Sequence, residues 1–320
     1  MKERVAYFDN AKIILMVCVV FGHFTEPMVE ESSIMKTLFL FIYSFHMPAF
    51  IFVSGYFSSG IYKRGKLFKL IRSFLLTYVI VQLVFIYFVK LIKVGNYQYT
   101  LKTPAYIYWY LFALFIWSIA IIILHFIEEK WGIKTEIFIV ASFILGFLAG
   151  YFESISWEFS LSRIIVFFPF FLLGYYFKKQ GLEVKTVFKY KWIPVLIVCI
   201  GLFLTIQYHD ISIKWVWCSV PYSQLQVTGM AAMLGRLLLY VVQIMMMFSV
   251  LMLIPSGKKR YTKLGSMTMT IYLLHGFVVK WCLSLGYFDP INGYHIFLIS
   301  MVAVVTIFLC CVIAIICRGK

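Results

Sequence analysis

Charge is scarce in this chain, and acid is scarcer still. Of 320 residues 13% are charged, with 13 Asp and Glu against 29 Lys and Arg, and 63% are apolar. A mean hydropathy of +0.93 leaves more apolar surface than a water-soluble core of this length hides, which excludes an ordinary soluble domain. Also missing are a loop long enough for a separate domain, a Pro/Gly/Ser-rich linker and any low-complexity tract, so residues 1–320 are read as one membrane domain. The seven cysteines form no disulfide framework and no CxxC or Cys/His spacing, since six fall in hydrophobic segments and Cys218 stands alone in a loop; no metal is expected. No small-residue cleavage site follows the first hydrophobic segment, which opens with Asp9 and Lys12, and it is read as a retained helix rather than a signal peptide.

Present instead are apolar runs long enough to cross roughly 30 Å of hydrocarbon, repeated along the whole chain. They predict an all-α polytopic membrane protein of about ten helices in one bundle, over roughly 7–25, 37–57, 73–92, 104–126, 136–151, 162–177, 192–208, 230–253, 266–285 and 294–317. Barrel strands would alternate every second residue, and these segments are apolar throughout. The net charge of +16 is distributed as a topology signal, not as a nucleic-acid surface. Lys63, Arg64, Lys66, Lys69 and Arg72 follow the second segment, Lys178, Lys179, Lys185, Lys189 and Lys191 the sixth, and Lys258, Lys259, Arg260 and Lys263 the eighth. By the positive-inside rule those loops and both termini are expected in the cytoplasm. The loop 209–229, rich in Trp and Tyr, is read first as a headgroup-level belt and alternatively as a sugar-stacking wall.

Polar residues inside such a chain are costly and point to a site. Lys12 and His23 are eleven residues apart, so on a helix they share one face about 16 Å apart. His46 and His275 reach similar depths from other segments, and three histidines at one level suggest a shared wet cavity. Pro48, two residues after His46, is expected to kink the second helix and free carbonyls near the imidazole, with Ser54-Gly55 as a close-packing contact. Asp9 neutralises Lys12, and Asn10 is an amide donor or a cap. Glu26 is read as lying in outer water, with orientation of His23 as the alternative. Lys69 and Arg72 are either an ordinary basic flank or, with Lys12, a clamp for a phosphorylated ligand. Arg163 and Arg236, near the outer surface, either snorkel or hydrogen-bond a substrate.

Taken together these residues resemble the acyltransferase 3 family of integral membrane acyltransferases, its sugar O-acetyltransferases in particular, among them the fucose 4-O-acetylase-like members. The likeness rests on Tyr7-Phe-Asp-Asn-Ala-Lys12 with His23, Phe45-His-Met-Pro with Ser54-Gly55-Tyr56, Lys69/Arg72, Phe168-Pro-Phe-Phe-Leu-Leu-Gly-Tyr175 and Ile271-Tyr-Leu-Leu-His275-Gly276, in order along most of the chain. Lysine stands at 12 and 69 where arginine is commoner in the family, which keeps the charge and loses the bidentate fork. Some relatives carry a fused hydrolase-like domain; none is expected here.

The resemblance implies transfer of an acetyl group from acetyl-CoA, the acyl-CoA donor, to a carbohydrate hydroxyl, in the multi-pass plasma membrane of a bacterium, with membrane lipid around it. Lys12, Lys69 and Arg72 would hold the donor's phosphates, and the Lys12–His23 separation is of the order of a pantetheine arm. His23 is the expected general base. His46, Ser54, Tyr272 and His275 are open as oxyanion donors or sugar-positioning groups. The competing reading is a transporter or exporter of a polysaccharide or lipid-linked sugar, for which a polar cavity inside the bundle would also serve.

Overall fold

A computed structural model describes residues 6–62, 66–94, 100–288, 302–308, 310 and 312. Among them the chain is all-helical, with no strand. The helices are α1 Ala6–Thr25, α2 Ser33–Tyr43, α3 His46–Phe57, α4 Lys66–Leu70, α5 Thr77–Leu91, α6 Trp109–Trp131, α7 Thr135–Ala149, α8 Leu161–Lys179, α9 Trp192–Gln207, the single turn α10 Lys214–Trp217, α11 Gly229–Leu253 and α12 Thr268–Ser284. A π-helical stretch, Ile71–Leu76, joins α4 to α5. Six helical stretches are long and apolar enough to cross a membrane: Ala6–Met28, Ser33–Phe57, Leu67–Leu91, Trp109–Trp131, Glu158–Lys179 and Gly229–Leu253; α7 and α9 are shorter apolar helices. The predicted tenth segment, 294–317, lies largely outside the described residues.

The second predicted helix is two helices. Pro48 does not kink it in the middle; it lies in the first turn of α3, where its missing N–H is needed by no helical bond. Its ring cannot sit beside the carbonyl four residues earlier, that of Ser44, so the chain breaks at Ser44-Phe45. Phe45 leaves helical geometry at φ −138°. Ser44 Oγ then donates to Phe41 O at 2.6 Å, and the His46 imidazole takes up Ile42 O at 2.8 Å. At the break the Phe41 and Ile42 carbonyls are thus met by local side chains as well as by backbone N–H groups, as burial in an apolar bundle demands.

The bundle's tightest seam is α3 against α8. A Cβ on Gly55 would lie 2.0 Å from Phe171 O, and one on Gly174 would lie 2.0 Å from Phe52 O. Each glycine thus lets the other helix's backbone approach, the small-residue contact expected of Ser54-Gly55. Ser54 itself bonds Phe50 O (3.0 Å) and Tyr110 Oη (2.6 Å), tying α3 to α6. Around this seam α7 packs on α8, and α9 on α11.

At the start of α1, Asn10 is a strap. Its Nδ2 donates to Pro255 O (2.8 Å) and Gly257 O (2.9 Å), and its Oδ1 accepts from Thr262 Oγ1 (2.6 Å). Tyr7 Oη donates to Leu251 O at 3.0 Å, and Lys185 Nζ donates to Met252 O and Ile254 O, closing the C-terminal end of α11. Burial and the nearby Lys191 hold the Lys185 ammonium below the ordinary lysine range. Asn10 is therefore a fully occupied structural amide, not a substrate contact.

Two outcomes follow. Gly174→Ala forces a methyl onto a backbone carbonyl and lowers stability by about 1–3 kcal/mol or more, whereas Gly257→Ala, with open space around its Cβ position, is near neutral; thermal melts of the detergent-purified protein compare the two. Asn10→Ala leaves the carbonyls of the 255–257 turn without their donor and costs roughly 1–3 kcal/mol, read as a lower melting temperature and faster proteolysis within 254–263.

Candidate functional site

Near the C-terminal end of α1, His23 faces a cavity of about 800 Å³. Its wall includes Glu26, Tyr43, His46, Tyr106, Trp109, Trp157, Arg163, Trp217 and Lys280. A second, mostly apolar cavity of about 30 Å³ lies on the other side of His23, lined by Met16, Val19, Met47, Phe50, Ile107, Trp109, Tyr110 and Tyr272. His23, Met47 and Trp109 belong to both linings. His23 therefore stands at the boundary between the two spaces.

The imidazole is held from one edge. Its Nδ1 lies 3.0 Å from Glu26 Oε2, and Tyr43 Oη is 3.4 Å from the same nitrogen. A carboxylate only accepts, so the proton sits on Nδ1 and Nε2 carries a lone pair. Tyr106 Oη donates to the same Glu26 oxygen at 3.3 Å, and its ring is 4.9 Å from the imidazole. Glu26, read from sequence as an outer-water residue, is corrected: α1 ends at Thr25 and passes into a single tight turn, Glu26–Met28, which folds the carboxylate back onto His23.

Tyr106 reaches this position through a strained turn. Its φ is +49°, a left-handed conformation that costs a non-glycine residue about 1–2 kcal/mol. The turn is held down by α12: Tyr272 Oη donates to Ile107 O (2.7 Å), Tyr108 Oη donates to Leu273 O (2.9 Å), and Gly276 leaves room for Ile107. Lys280, one turn further along α12, puts its Nζ 4.3 Å from the Tyr106 ring centroid. Its charge, with that of Arg163, faces Glu26.

The three histidines come together. His46 lines the large cavity and packs edge-on against Tyr43, at 4.4 Å between ring centroids. The His275 ring is 5.5 Å from that of His23 and fully buried, though it does not line the cavity. Both spend Nδ1–H on a carbonyl of the preceding turn, Ile42 O for His46 and Ile271 O at 3.0 Å for His275. His275 Nε2 is left a buried acceptor. Ser54 and Tyr272 have their hydroxyls committed to Tyr110 and Phe50 or to Ile107. None of the four expected oxyanion candidates presents a free donor in this arrangement.

The cations separate into groups. Lys12 pairs with Asp9 at 2.8 Å and lies 5.5 Å from the Phe57 ring centroid. Lys69 and Arg72 are exposed, and among the described residues no contact joins either side chain to Lys12. Arg163 lines the large cavity. Arg236 does not: it is buried, donates from Nη1 to Cys218 Sγ at 3.1 Å and lies over the Trp215 and Tyr222 rings, so neither snorkelling nor substrate contact describes it. Burial raises the Cys218 thiol above its ordinary range, against a nucleophilic role. The aromatic loop divides its labour, with Trp217 on the cavity wall and Trp215 against Arg236 and Gly235. Among the described residues no group of three His, Cys, Asp or Glu is placed to hold a metal.

Sequence reasoning missed Tyr43, Tyr106 and Lys280. Lys280 carried a signal, being an ionisable residue within an apolar run five residues after His275. The tyrosines carried none, since aromatic residues make up 20% of the chain.

Nodulation protein NolL of Mesorhizobium japonicum is 26% identical over 301 residues, covering 85% of this chain and 76% of that protein. No solved structure matches the chain. A family model described as an acyltransferase domain matches residues 5–317. The match spans both cavities and every described helix, and the chain belongs to the acyltransferase 3 family of membrane acyltransferases.

Proposed function

We propose that this protein transfers an acetyl group from acetyl-CoA to a hydroxyl of a cell-surface or lipid-linked carbohydrate. The observation that carries the reading is the position of His23 on the boundary of both cavities, with Nδ1 anchored by Glu26 and Nε2 open. The donor enters from the cytosolic side, its phosphates met by Lys12, Lys69 and Arg72, and its acyl end comes up past Met16 and Val19. The acceptor occupies the large cavity.

His23 Nε2 accepts the hydroxyl proton as the oxygen attacks the thioester carbonyl. A C–O bond forms, the tetrahedral oxyanion collapses, and the C–S bond breaks. The departing thiolate takes the proton from His23, which returns the imidazole to its starting state. Glu26 fixes the tautomer and stabilises the transient imidazolium, a positioning role in the manner of the carboxylate in a Ser-His-Asp triad. With the four expected donors committed elsewhere, the oxyanion falls to Lys280, whose ammonium lines the cavity beside Tyr106.

In cells carrying His23→Ala, NMR of the surface glycan is expected to show loss of O-acetyl groups while the glycan still reaches the surface. Loss of the glycan itself would favour an exporter, and full acetylation by a folded, inserted His23→Ala protein would sink the general-base assignment. With purified protein, Glu26→Gln and Lys280→Met lower kcat by at least about tenfold with little change in donor KM. Lys12→Ala does the reverse, raising donor KM by about tenfold, while Lys12→Arg retains activity.

A further inference from the structure

Arg163 lines the large cavity, and the transfer chemistry leaves its placement unused. Its guanidinium carbon lies 5.2 Å from the Trp109 ring centroid and 5.3 Å from that of Trp157, so the group is held between two indoles. Its Nε donates to Trp217 O at 3.1 Å. These contacts hold the guanidinium at the cavity wall and use one of its five N–H groups. Among the described residues Nη1 and Nη2 have neither a hydrogen-bond partner nor an ion pair. A guanidinium in an apolar bundle is costly without an anion, and one immobilised in advance by stacking loses little entropy on binding.

The charges nearby tell the same story. Lys280 and Arg163 both face Glu26, so the buried wall beside His23 carries two permanent cations and one carboxylate. Glu30, the other carboxylate of the cavity, is exposed. The Arg163 fork, on the wall of this cavity, has the geometry to receive two oxygens of one group.

We propose that Arg163 is the recognition group for an oxyanion carried by the acceptor, a carboxylate or a phosphate on the sugar that is acylated. The inference rests on the acceptor occupying this cavity. Trp157 and Trp217, with ring centroids 6.3 Å apart at 69°, flank the same group and offer apolar faces to the sugar ring. The anion orients the acceptor, so that one hydroxyl is presented to His23.

The test is binding to the purified full-length protein in nanodiscs, read by tryptophan fluorescence, with glucuronate, glucose 6-phosphate and neutral glucose as probes. At least one anionic sugar is expected to bind about tenfold or more tightly than glucose; the better of the two identifies carboxylate or phosphate as the favoured group. Arg163→Gln brings that preference down to about twofold or less, and Arg163→Lys, which keeps charge without the fork, gives an intermediate value. Glu26→Gln removes the neighbouring negative charge and strengthens the preference, whereas misfolding of the site would weaken binding of all three sugars. Equal binding of anionic and neutral sugars by the unaltered protein overturns the proposal, as does a preference that survives Arg163→Gln or one that Glu26→Gln also erases. Failure of the acyltransferase reading is seen separately: His23→Ala leaves the anion preference in place, and its effect on acetyl transfer is measured in its own assay.

Discussion

A polar atom buried in an apolar helical bundle must find its partner within the protein, and that constraint sorts the residues of this chain more sharply than any motif does. Asn10 satisfies it with three bonds to the 255–262 turn. Ser54, Tyr272, His46 and one nitrogen of His275 satisfy it on neighbouring carbonyls or hydroxyls. Two groups stand open on the wall of one cavity, Nε2 of His23 and the outer fork of Arg163, while Nε2 of His275 and the Gln243 amide are buried elsewhere in the bundle without a hydrogen bond among the described residues. Residues that resemble one another by type and depth in the sequence thus divide into those that hold the bundle together and those that line the large cavity.

The same constraint explains the broken second helix. Pro48 removes a donor and blocks the Ser44 carbonyl, and the bundle responds by starting a new helix at His46, bonding its imidazole to Ile42 O. The break is useful because it opens the wall at Tyr43 and His46, next to His23. Further along α3, Gly55 closes the bundle onto α8. One broken span, Ser33–Phe57, therefore carries both an opening on the large cavity and the close packing at Gly55, about two turns apart.

Much of this was legible in the sequence. Hydrophobic run length located the helices to within a few residues over α1, α7, α8, α9, α11 and α12, because span length is set by bilayer thickness and needs no tertiary information. Helical periodicity placed Lys12 and His23 on one face. Depth counting from flanking cations brought the three histidines to one level, and the structure puts His23 beside His275 and His46 in the same cavity wall. Contacts made across turns and between distant segments were not legible. Glu26 is three residues from His23 and would be read as solvated on a continuing helix; it meets the imidazole because α1 tightens into a single turn at that point. Tyr106 reaches the site through a strained turn pinned by α12, more than 160 residues away in sequence by the Tyr108–Leu273 bond, and α12 itself carries Lys280. Arg163 and Arg236 look alike at the starts of two helices, and only the fold shows that one lines the large cavity and the other meets a buried thiol and two rings.

The two cavities differ in size by more than tenfold, and the difference bears on how water is kept from a thioester. An acyl group arriving through the small apolar space is covered by Met16, Val19, Met47 and Phe50 until it reaches His23, so few polar atoms on that route could hold a water poised for hydrolysis. The large cavity is mainly apolar in surface but carries the charged and hydroxyl groups of Glu26, Tyr43, Tyr106, Arg163 and Lys280, which suit the hydroxylated acceptor proposed for it. The proposed general-base role of His23 then requires a hydroxyl held at Nε2 in preference to water. Immobilising the acceptor by a second contact, through an anion on Arg163, raises the local concentration of that hydroxyl over solvent. On this reading His23 supplies the base common to any acceptor, and the charged wall beside it decides which hydroxyl is close enough to use it.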